Sequence, residues 1–459
     1  MKNMKKGAIQ YGVLMCILSL LIAPDICLGN FGNGMEILET DIGVGTTQRH
    51  EWYPSVAYNP VDKEYMVFWW TTGGLSPLGT VNYHSIDGQR VSPDGDLIGG
   101  PIVLSPPDIR TKSMSSAQLT RNIFTNEYMV PFTIGTGPSP VGGSYYVTRT
   151  DSVGGILYGP AKLVQTTSNA SHPNIVFNSE RQEYLVAYND KLSGYPTIDN
   201  IYCILNENGD AIINGPFTVG TLTGIQFNPQ MAYNPNDDTY LVAWEDFRHV
   251  PGMGMRNEQY GALLDGEGNM IGNEIAIKDD YGTATEGTQA GETVVYNPDK
   301  NEFLVAWSDG STYLSRGGIV GRIIRADGRF GGEEIVIIDA PGGQAWPQIV
   351  YSQKRKGYFM VWTDGRNGDL NAPPWPLTEA DIYGRWLNSA GQPVGEADIP
   401  ICVKPGFQQN AALAYDEDMD RFLILYRDSE TNDFPVLPGE GPMGMGSKGD
   451  IKAVLYGVR

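Results

Sequence analysis

The sequence predicts an all-β protein made of seven similar four-stranded units arranged in a closed ring. Three observations lead to this prediction: a motif that recurs seven times, four short β-type runs in each copy, and one β-type run that precedes the first copy. The chain has 459 residues, of which 41% are hydrophobic and 10% aromatic, and this composition suffices for a large folded core.

The recurring motif is an apolar run that begins with an aromatic residue, as in Tyr240-Leu241-Val242-Ala243-Trp244. A shorter run ending in an aromatic residue and Asn, Ser or Asp usually precedes it. The aromatic residues that begin the seven copies are Tyr65, Tyr128, Tyr184, Tyr240, Phe303, Tyr358 and Phe422, at spacings of 55 to 64 residues. Self-similarity at such a period is typical of propellers, solenoids and repeat arrays.

Each copy contains four short runs that are rich in β-branched and aromatic residues and are separated by turn formers. In the fourth copy they are Gln230 to Tyr233, Tyr240 to Trp244, Gln259 to Leu264 and Glu274 to Lys278. The first turn of a copy is usually Asn-Pro with polar residues, and the third is rich in Gly, which takes positive φ without steric strain. No helical period of useful length occurs.

The ends of the chain favour a ring over a solenoid. The last copy stops after its third run, Ile451 to Tyr456, whereas the segment Glu36 to Glu39 resembles fourth runs such as Glu274 to Ile277. An N-terminal strand that completes the last unit closes a ring and removes exposed sheet edges. The prediction is therefore a seven-bladed β-propeller of four-stranded antiparallel blades, closed by the N-terminal strand.

The repeat, read as aromatic-Leu-Val-Ala-Trp-x-Asp and followed by Ile-Tyr-Gly-Arg at Ile382 to Arg385, resembles a propeller repeat of many secreted bacterial proteins of unassigned function. The resemblance covers essentially all of Met35 to Arg459. It implies the propeller fold and brings no catalytic motif with it.

Residues 1–29 are predicted to be a secretory signal peptide, and residues 30–459 a single propeller domain. Lys2, Lys5 and Lys6 form a basic region ahead of the uncharged stretch 11–23. That stretch is shorter than an ordinary membrane span, and no second apolar stretch of span length follows. We therefore expect an exported protein in the periplasm or outside the cell.

The net charge of -21 makes nucleic acid an improbable partner, because an anionic surface repels phosphates. Loss of residues 1–29 would remove three Lys and one Asp, which gives -21 - 3 + 1 = -23.

Only Cys203 and Cys402 would remain in the mature chain with certainty, on blades that are not neighbours, so we expect two unpaired thiols. The four His residues are scattered without ligand spacing.

The second runs end in an aromatic residue, one further residue and Asp, which places equivalent carboxylates at one mouth of the channel. The five Asp residues are Asp190, Asp246, Asp309, Asp364 and Asp428. Asp246, Asp309 and Asp364 are the candidates for a metal, with calcium as the ion considered; no other cofactor is expected. The alternative is a structural contact in each blade, since Arg follows in Asp246-Phe247-Arg248 and Asp364-Gly365-Arg366.

A glycoside hydrolase would use a few carboxylates around the central pocket. Glu51, Glu245 and Glu292 are such residues, but the sequence does not distinguish them from other acids. The aromatic residues predicted just before the first strands, Trp52, Tyr53, Phe227 and Trp346, could stack on a sugar or pack between blades.

Long connections are predicted on one face of the ring, where binding usually resides. Two of them are rich in Pro, Met and aromatic residues, which suit interfaces. The partner-binding candidates are Pro373, Pro374, Trp375, Phe434, Met443 and Met445. The alternative is that these loops only cover their own blades.

Three interpretations of function follow. The first is a protein without a catalytic site of its own that acts as an interaction or scaffold subunit of an extracytoplasmic assembly; by architectural analogy, propeller subunits without a cofactor occur in periplasmic redox complexes such as hydrazine synthase. The second is a glycan-binding propeller lectin, and the third a carboxylate-based glycoside hydrolase. Fold by itself does not choose among them.

Overall fold

The structure is a computed structural model of the chain, and it contains twenty-eight β-strands in its described residues. The residues described are 34–46, 50–72, 84–104, 119–135, 143–165, 173–190, 198–220, 224–249, 257–280, 289–310, 317–369, 379–395, 397–429 and 449–459. Within these ranges no helix is long and apolar enough to span a membrane. The predicted signal peptide lies outside them.

The strands form seven antiparallel sheets of four strands, as the repeat predicts. Blade 1 consists of β2 (His50–Asn59), β3 (Glu64–Thr72), β4 (His84–Val91) and β5 (Leu97–Val103). Blade 2 consists of β6 (Thr120–Asn122), β7 (Glu127–Gly135), β8 (Gly143–Thr150) and β9 (Ile156–Gln165). Blade 3 consists of β10 (Asn174–Asn178), β11 (Glu183–Asp190), β12 (Asp199–Leu205) and β13 (Ile212–Thr218). Blades 4 and 5 consist of β14 (Gln226–Asn234), β15 (Thr239–Asp246), β16 (Glu258–Asp265) and β17 (Met270–Lys278); and β18 (Gln289–Asn297), β19 (Glu302–Asp309), β20 (Gly318–Arg325) and β21 (Ile335–Ile338). Blade 6 consists of β22 (Gln344–Ser352), β23 (Gly357–Asp364), β24 (Asp381–Asn388) and β25 (Ile399–Cys402).

Blade 7 combines the two ends of the chain. Its strands are β26 (Phe407–Asp416), β27 (Arg421–Ser429), β28 (Gly449–Gly457) and β1 (Glu36–Gly45), in the order β1-β28-β27-β26. Strand β1 is antiparallel to β28, with Ile37 opposite Tyr456 and Ile42 opposite Ala453. The N-terminal strand therefore completes the last blade, which confirms the predicted closure.

The core lies between blades rather than within them. Seven hydrophobic clusters each combine residues of two successive blades, and one of them joins blade 7 to blade 1 through Val44, Tyr65 and Leu423. The large side chains Trp244, Trp307 and Trp362 are fully buried in three of these interfaces. Each sheet buries both faces only because it has a neighbour on either side, and a closed ring supplies two neighbours to every blade.

An Asn at the end of the first strand joins several blades to the next. The Nδ2 atoms of Asn122, Asn178 and Asn297 donate to the hydroxyls of Tyr184, Tyr240 and Tyr358, at 3.2, 2.8 and 2.9 Å. The Oδ1 atom of the same Asn accepts a backbone N–H of its own turn, as from Arg181 to Asn178 at 2.9 Å. One side chain therefore shapes the turn and fastens the neighbouring blade, which explains why Asn and Tyr recur together.

Asn178→Ala is expected to lower the free energy of unfolding by about 2 kcal/mol, because it removes three hydrogen bonds worth about 0.5–1.5 kcal/mol each. Its Nδ2 atom also donates to Asp238 Oδ1 at 2.8 Å. Tyr240→Phe should lower it by only about 1 kcal/mol, since blades 5 and 7 carry Phe303 and Phe422 at this position. Urea denaturation measures both values, and equal losses would contradict the double role of Asn178.

The first strands of blades 1, 4 and 6 begin earlier than the sequence predicts, and the first strands of blades 5 and 7 share the cause. Strand β14 begins at Gln226 instead of Gln230, and the four aromatic residues Trp52, Tyr53, Phe227 and Trp346 lie inside first strands rather than before them. The reason is a β-bulge near the start of each of these strands. The bulged residues are Tyr53, Asn228, Gly291, Trp346 and Asn410, all with φ between 47° and 61°. A bulge lets the strand continue past Pro54, Pro229 or Pro347 and changes the direction of the side chains that follow.

Candidate functional site

Asp246 and Asp364, two of the predicted metal candidates, are fully buried and already bound by their own blades. Asp246 accepts hydrogen bonds from Trp244 Nε1 at 2.9 Å and from Arg248 Nε at 2.8 Å. Asp364 repeats this arrangement with the indole of Trp362 at 2.7 Å and the guanidinium of Arg366 at 2.8 Å. These contacts are the structural Asp-Arg pairs that the sequence also suggested.

Asp309, the third candidate, lacks such an Arg and stays partly exposed. Burial is the largest influence on its pKa and raises it above the ordinary value. The three candidates belong to three different blades, and the described part of the chain contains no group of three or more His, Cys, Asp or Glu side chains that could hold a metal. The calcium prediction for these three residues therefore gains no support from the geometry.

Near the end of a second strand, one residue separates the recurring aromatic residue from the recurring Asp. In blades 4, 5 and 7 this intervening residue contacts the first strand of the following blade. In blade 5, Ser308 Oγ accepts the backbone N–H of Trp346 at 3.2 Å. In blade 7, Arg427 Nε donates to the carbonyl of Glu51 at 3.2 Å. In blade 4 this position is Glu245, whose Oε1 accepts the backbone N–H of Gly291 at 3.0 Å. The side chain at this position therefore links two successive blades near the bulge. In blade 4 this side chain is the carboxyl group of Glu245.

The residue that follows the bulge in the first strand is also exceptional in blade 5. It is Pro54, Pro229 or Pro347 in three blades and Ala411 in a fourth, but Glu292 in blade 5. Two carboxyl groups, each unusual for its position, therefore meet at the interface of blades 4 and 5.

Amide side chains surround this Glu245–Glu292 pair. Asn228 Nδ2 donates to Glu245 Oε1 at 3.4 Å, and Asn257 Nδ2 donates to Glu245 Oε2 at 3.0 Å. Gln259 Nε2 donates to Glu292 Oε2 at 3.3 Å. Glu245 is 9% exposed and Glu292 2% exposed. The other oxygen, Glu292 Oε1, is buried and has no hydrogen-bond partner among the described residues.

The pKa values of both carboxyl groups are raised. Burial raises the pKa of Glu245 to about 7, although hydrogen bonds from Gly291, Asn228 and Asn257 favour its ionised form. Burial and then the charge of Glu245 raise the pKa of Glu292 well above its usual range. Like charges at close range oppose double ionisation, so the pair as a whole retains a proton near neutral pH.

The pair lies at the long-connection face of the ring. Strand β15 ends there and strands β16 and β18 begin there, whereas the Asn-Pro turns lie at the opposite ends of the strands. Residues 250–256 and 281–288, which connect these strand ends, lie outside the described part of the chain. The partner-binding candidates Pro373, Pro374, Trp375, Phe434, Met443 and Met445 also lie outside it, so their role stays a prediction.

Glu51 occupies a different environment from the other two glutamates. Its Oε2 accepts the backbone N–H of Ile451 at 3.0 Å, and the guanidinium of Arg427 lies 3.8 Å from the Trp52 ring centroid beside it. Glu51 of blade 1 therefore forms a contact with blade 7. Aligning the copies on the bulge would have revealed Glu292 as an exception, but only the structure brings it beside Glu245.

The two cysteine residues both lie in β-strands. Cys203 is buried on β12 and Cys402 ends β25, and both thiols are free, as expected. Burial raises the pKa of Cys203 to about 12, which opposes thiolate chemistry.

No protein-family model matches the chain, and no curated protein matches it. Among solved structures, an ulvan lyase described as a new polysaccharide lyase family has a TM-score of 0.51 at 12% identity, over 92% of this chain and 96% of that chain. A puromycin-hydrolyzing peptidase of Mycobacterium tuberculosis has a TM-score of 0.52 at 10% identity, over 88% of this chain and 53% of that one. The β-propeller domain of the Trilobed protease from Pyrococcus furiosus has a TM-score of 0.44 at 10% identity, over 83% and 91%. At these identities the likeness concerns the fold alone, and the fold is a β-propeller.

Proposed function

We propose that this propeller is a carbohydrate-active enzyme that hydrolyses glycosidic bonds with Glu292 and Glu245. The observation that carries the proposal is the buried pair itself: two carboxyl groups in contact with the same Asn228, with pKa values raised to different extents. Pairs of titratable groups whose environments separate their pKa values are characteristic of acid–base catalysis. The polysaccharide lyase of similar fold is a precedent for the fold and not for these residues.

Glu292 is the general acid in this proposal. Its higher pKa keeps the proton at neutral pH, and its Oε1 atom makes no hydrogen bond within the described residues. The carboxyl group would transfer this proton to the glycosidic oxygen as the bond from that oxygen to the anomeric carbon breaks.

Glu245 is the general base. Three N–H donors, from Gly291, Asn228 and Asn257, stabilise its ionised form. The carboxylate would accept a proton from the water whose oxygen forms the new bond to the anomeric carbon, so that one water is consumed and the two protons are accounted for.

The substrate we propose is a neutral glycan. A net charge of -21 disfavours approach of a polyanionic polysaccharide. The amide groups of Asn228, Asn257 and Gln259 line the pair and are suited to hydroxyl groups. A scaffold or lectin role stays a prediction of the sequence, and no contact among the described residues favours it over hydrolysis.

Release of reducing ends from a panel of neutral polysaccharides and aryl glycosides tests the proposal. We expect turnover by the wild type and none by the double variant Glu245→Gln/Glu292→Gln. The matched control is Glu302→Gln, since Glu302 is a partly buried carboxyl of blade 5 with a raised pKa at the opposite end of the strands. Absence of turnover across the panel, or equal turnover by the double variant, would overturn the proposal.

A further inference from the structure

The oxygens around the Glu245–Glu292 pair are not all satisfied by the described residues. Glu292 Oε1 and Gln259 Oε1 are both buried without a hydrogen-bond partner there. Gln259 itself is completely buried, and its amide nitrogen is 3.3 Å from Glu292 Oε2, so the side chain is directed at the pair. Buried oxygen atoms without a partner are energetically unfavourable and call for a ligand or a donor.

We propose that the carboxylates of Glu245 and Glu292 bind one calcium ion, which displaces the proton that the pair otherwise holds, with Gln259 Oε1 as a further protein ligand. Two carboxylates carry a charge equal and opposite to that of the ion. Carboxylate and amide oxygens are hard ligands of the kind that calcium prefers, and water completes its six to eight positions. No His or Cys lies among these three residues, which disfavours zinc. Magnesium demands a stricter octahedral geometry and retains more of its water, so calcium is the better fit.

This site differs from the one that the sequence suggested. Asp246 and Asp364 have their carboxylate oxygens bound by a Trp indole and an Arg guanidinium, whereas Glu292 retains an open oxygen. The inference does not depend on hydrolysis, because it concerns the ionised pair and its charge. A proton and a calcium ion are alternative occupants of the same carboxylates.

Calorimetric titration of the full chain with CaCl2 at pH 8, after removal of metal with a chelator, tests the inference. We expect one ion per chain, and a rise in Tm with CaCl2 that MgCl2 at equal ionic strength does not match. Glu292→Gln should weaken calcium binding at least tenfold, which corresponds to about 1.4 kcal/mol. Gln259→Met, which keeps both carboxylates and a similar side-chain volume, should weaken it to a smaller extent.

Asp327→Asn is the control, because Asp327 lies in a turn of blade 5 whose carboxylate is exposed to solvent. It should leave calcium binding unchanged. Binding that Glu292→Gln leaves unaltered, or the absence of any calcium-specific rise in Tm, would overturn the inference. Turnover by calcium-free enzyme without calcium binding would reject this site and leave the proposed hydrolysis standing, and the reverse result would reject hydrolysis alone.

Discussion

Glu292→Gln is expected to lower the turnover number by about 10²–10⁴-fold, the usual contribution of a general acid. The amide cannot donate the proton to the leaving oxygen. The wild-type rate should rise with pH as Glu245, with a pKa of about 7, becomes ionised, and fall at higher pH as Glu292 loses its proton. The pH–rate profile of Glu292→Gln should retain the rise and lose the fall.

The same substitution should stabilise the fold above neutral pH. Glu245 has a pKa of about 7 in the folded state against 4.5 as the ordinary value, so the folded state binds the proton more tightly. Ionisation of Glu245 alone therefore lowers the free energy of unfolding by about 3 kcal/mol, at 1.36 kcal/mol per pKa unit, as pH rises from about 4.5 to about 7. Burial also holds the pKa of Glu292 well above its usual range in the folded state, so ionisation of Glu292 lowers the free energy of unfolding further as pH rises; the amide of Glu292→Gln does not ionise and removes this part of the fall.

Denaturant titrations at pH 5 and pH 8 measure the effect on stability. A merely structural role for Glu292 predicts lower stability at both pH values. Lower activity with unchanged or higher stability at pH 8 is the combination that an acid–base pair requires. Retention of full activity by Glu292→Gln, with Glu302→Gln as the control, would reject the catalytic assignment.

Removal of strand β1 is expected to cause the second large effect. A chain that begins at residue 47 lacks the fourth strand of blade 7 and leaves the edge of β28 unpaired. It also loses the buried Val44, together with the packing of Ile37 and Ile42. Burial of one large apolar side chain contributes about 1.5–3 kcal/mol, so we expect a loss of about 3 kcal/mol or more in the free energy of unfolding. The exposed edge should also promote association of copies.

A chain that begins at Gly34 is the matched control, because it retains all of β1. A synthetic peptide of residues 34–46 should restore the Tm of the shortened chain in part, since a strand can add to an open sheet edge in trans. Equal stability of the two shortened chains would show that the ring does not depend on closure by β1.

Much of the fold could be predicted from the sequence because the blades are local. Strands β15 and β16 are neighbours along the chain and in space, so the apolar run Tyr240 to Trp244 and the Gly-rich turn near Gly268 predict their hairpin directly. The bulges could not be predicted in this way. Pro229 within β14 is normally a sign against a strand, but here it lies in a bulge, next to Asn228 with its positive φ, and the strand continues past it.

The acids that recur in the blades and the acids that occur in one blade only have different roles in the structure. The sequence singled out Asp246, Asp309 and Asp364 because they recur, yet in Asp246 and Asp364 the recurrence reflects a structural contact with Trp and Arg. Glu245 and Glu292 are exceptions to the repeat, each in a different way. A carboxyl group at a position where the other blades carry none is the better indication of a functional site.

The sequence by itself determined the number of blades, the strands of each blade and the closure by β1, because each follows from residues close in the chain or from matching ends. Only the tertiary structure decided which acids meet. Glu245 is the last residue but one of the second strand of blade 4, and Glu292 follows the bulge of blade 5. The packing of blades 4 and 5 places both beside Asn228. Burial between two sheets then raises their pKa values, an effect that depends on the surroundings of the carboxyl groups and not on their identity.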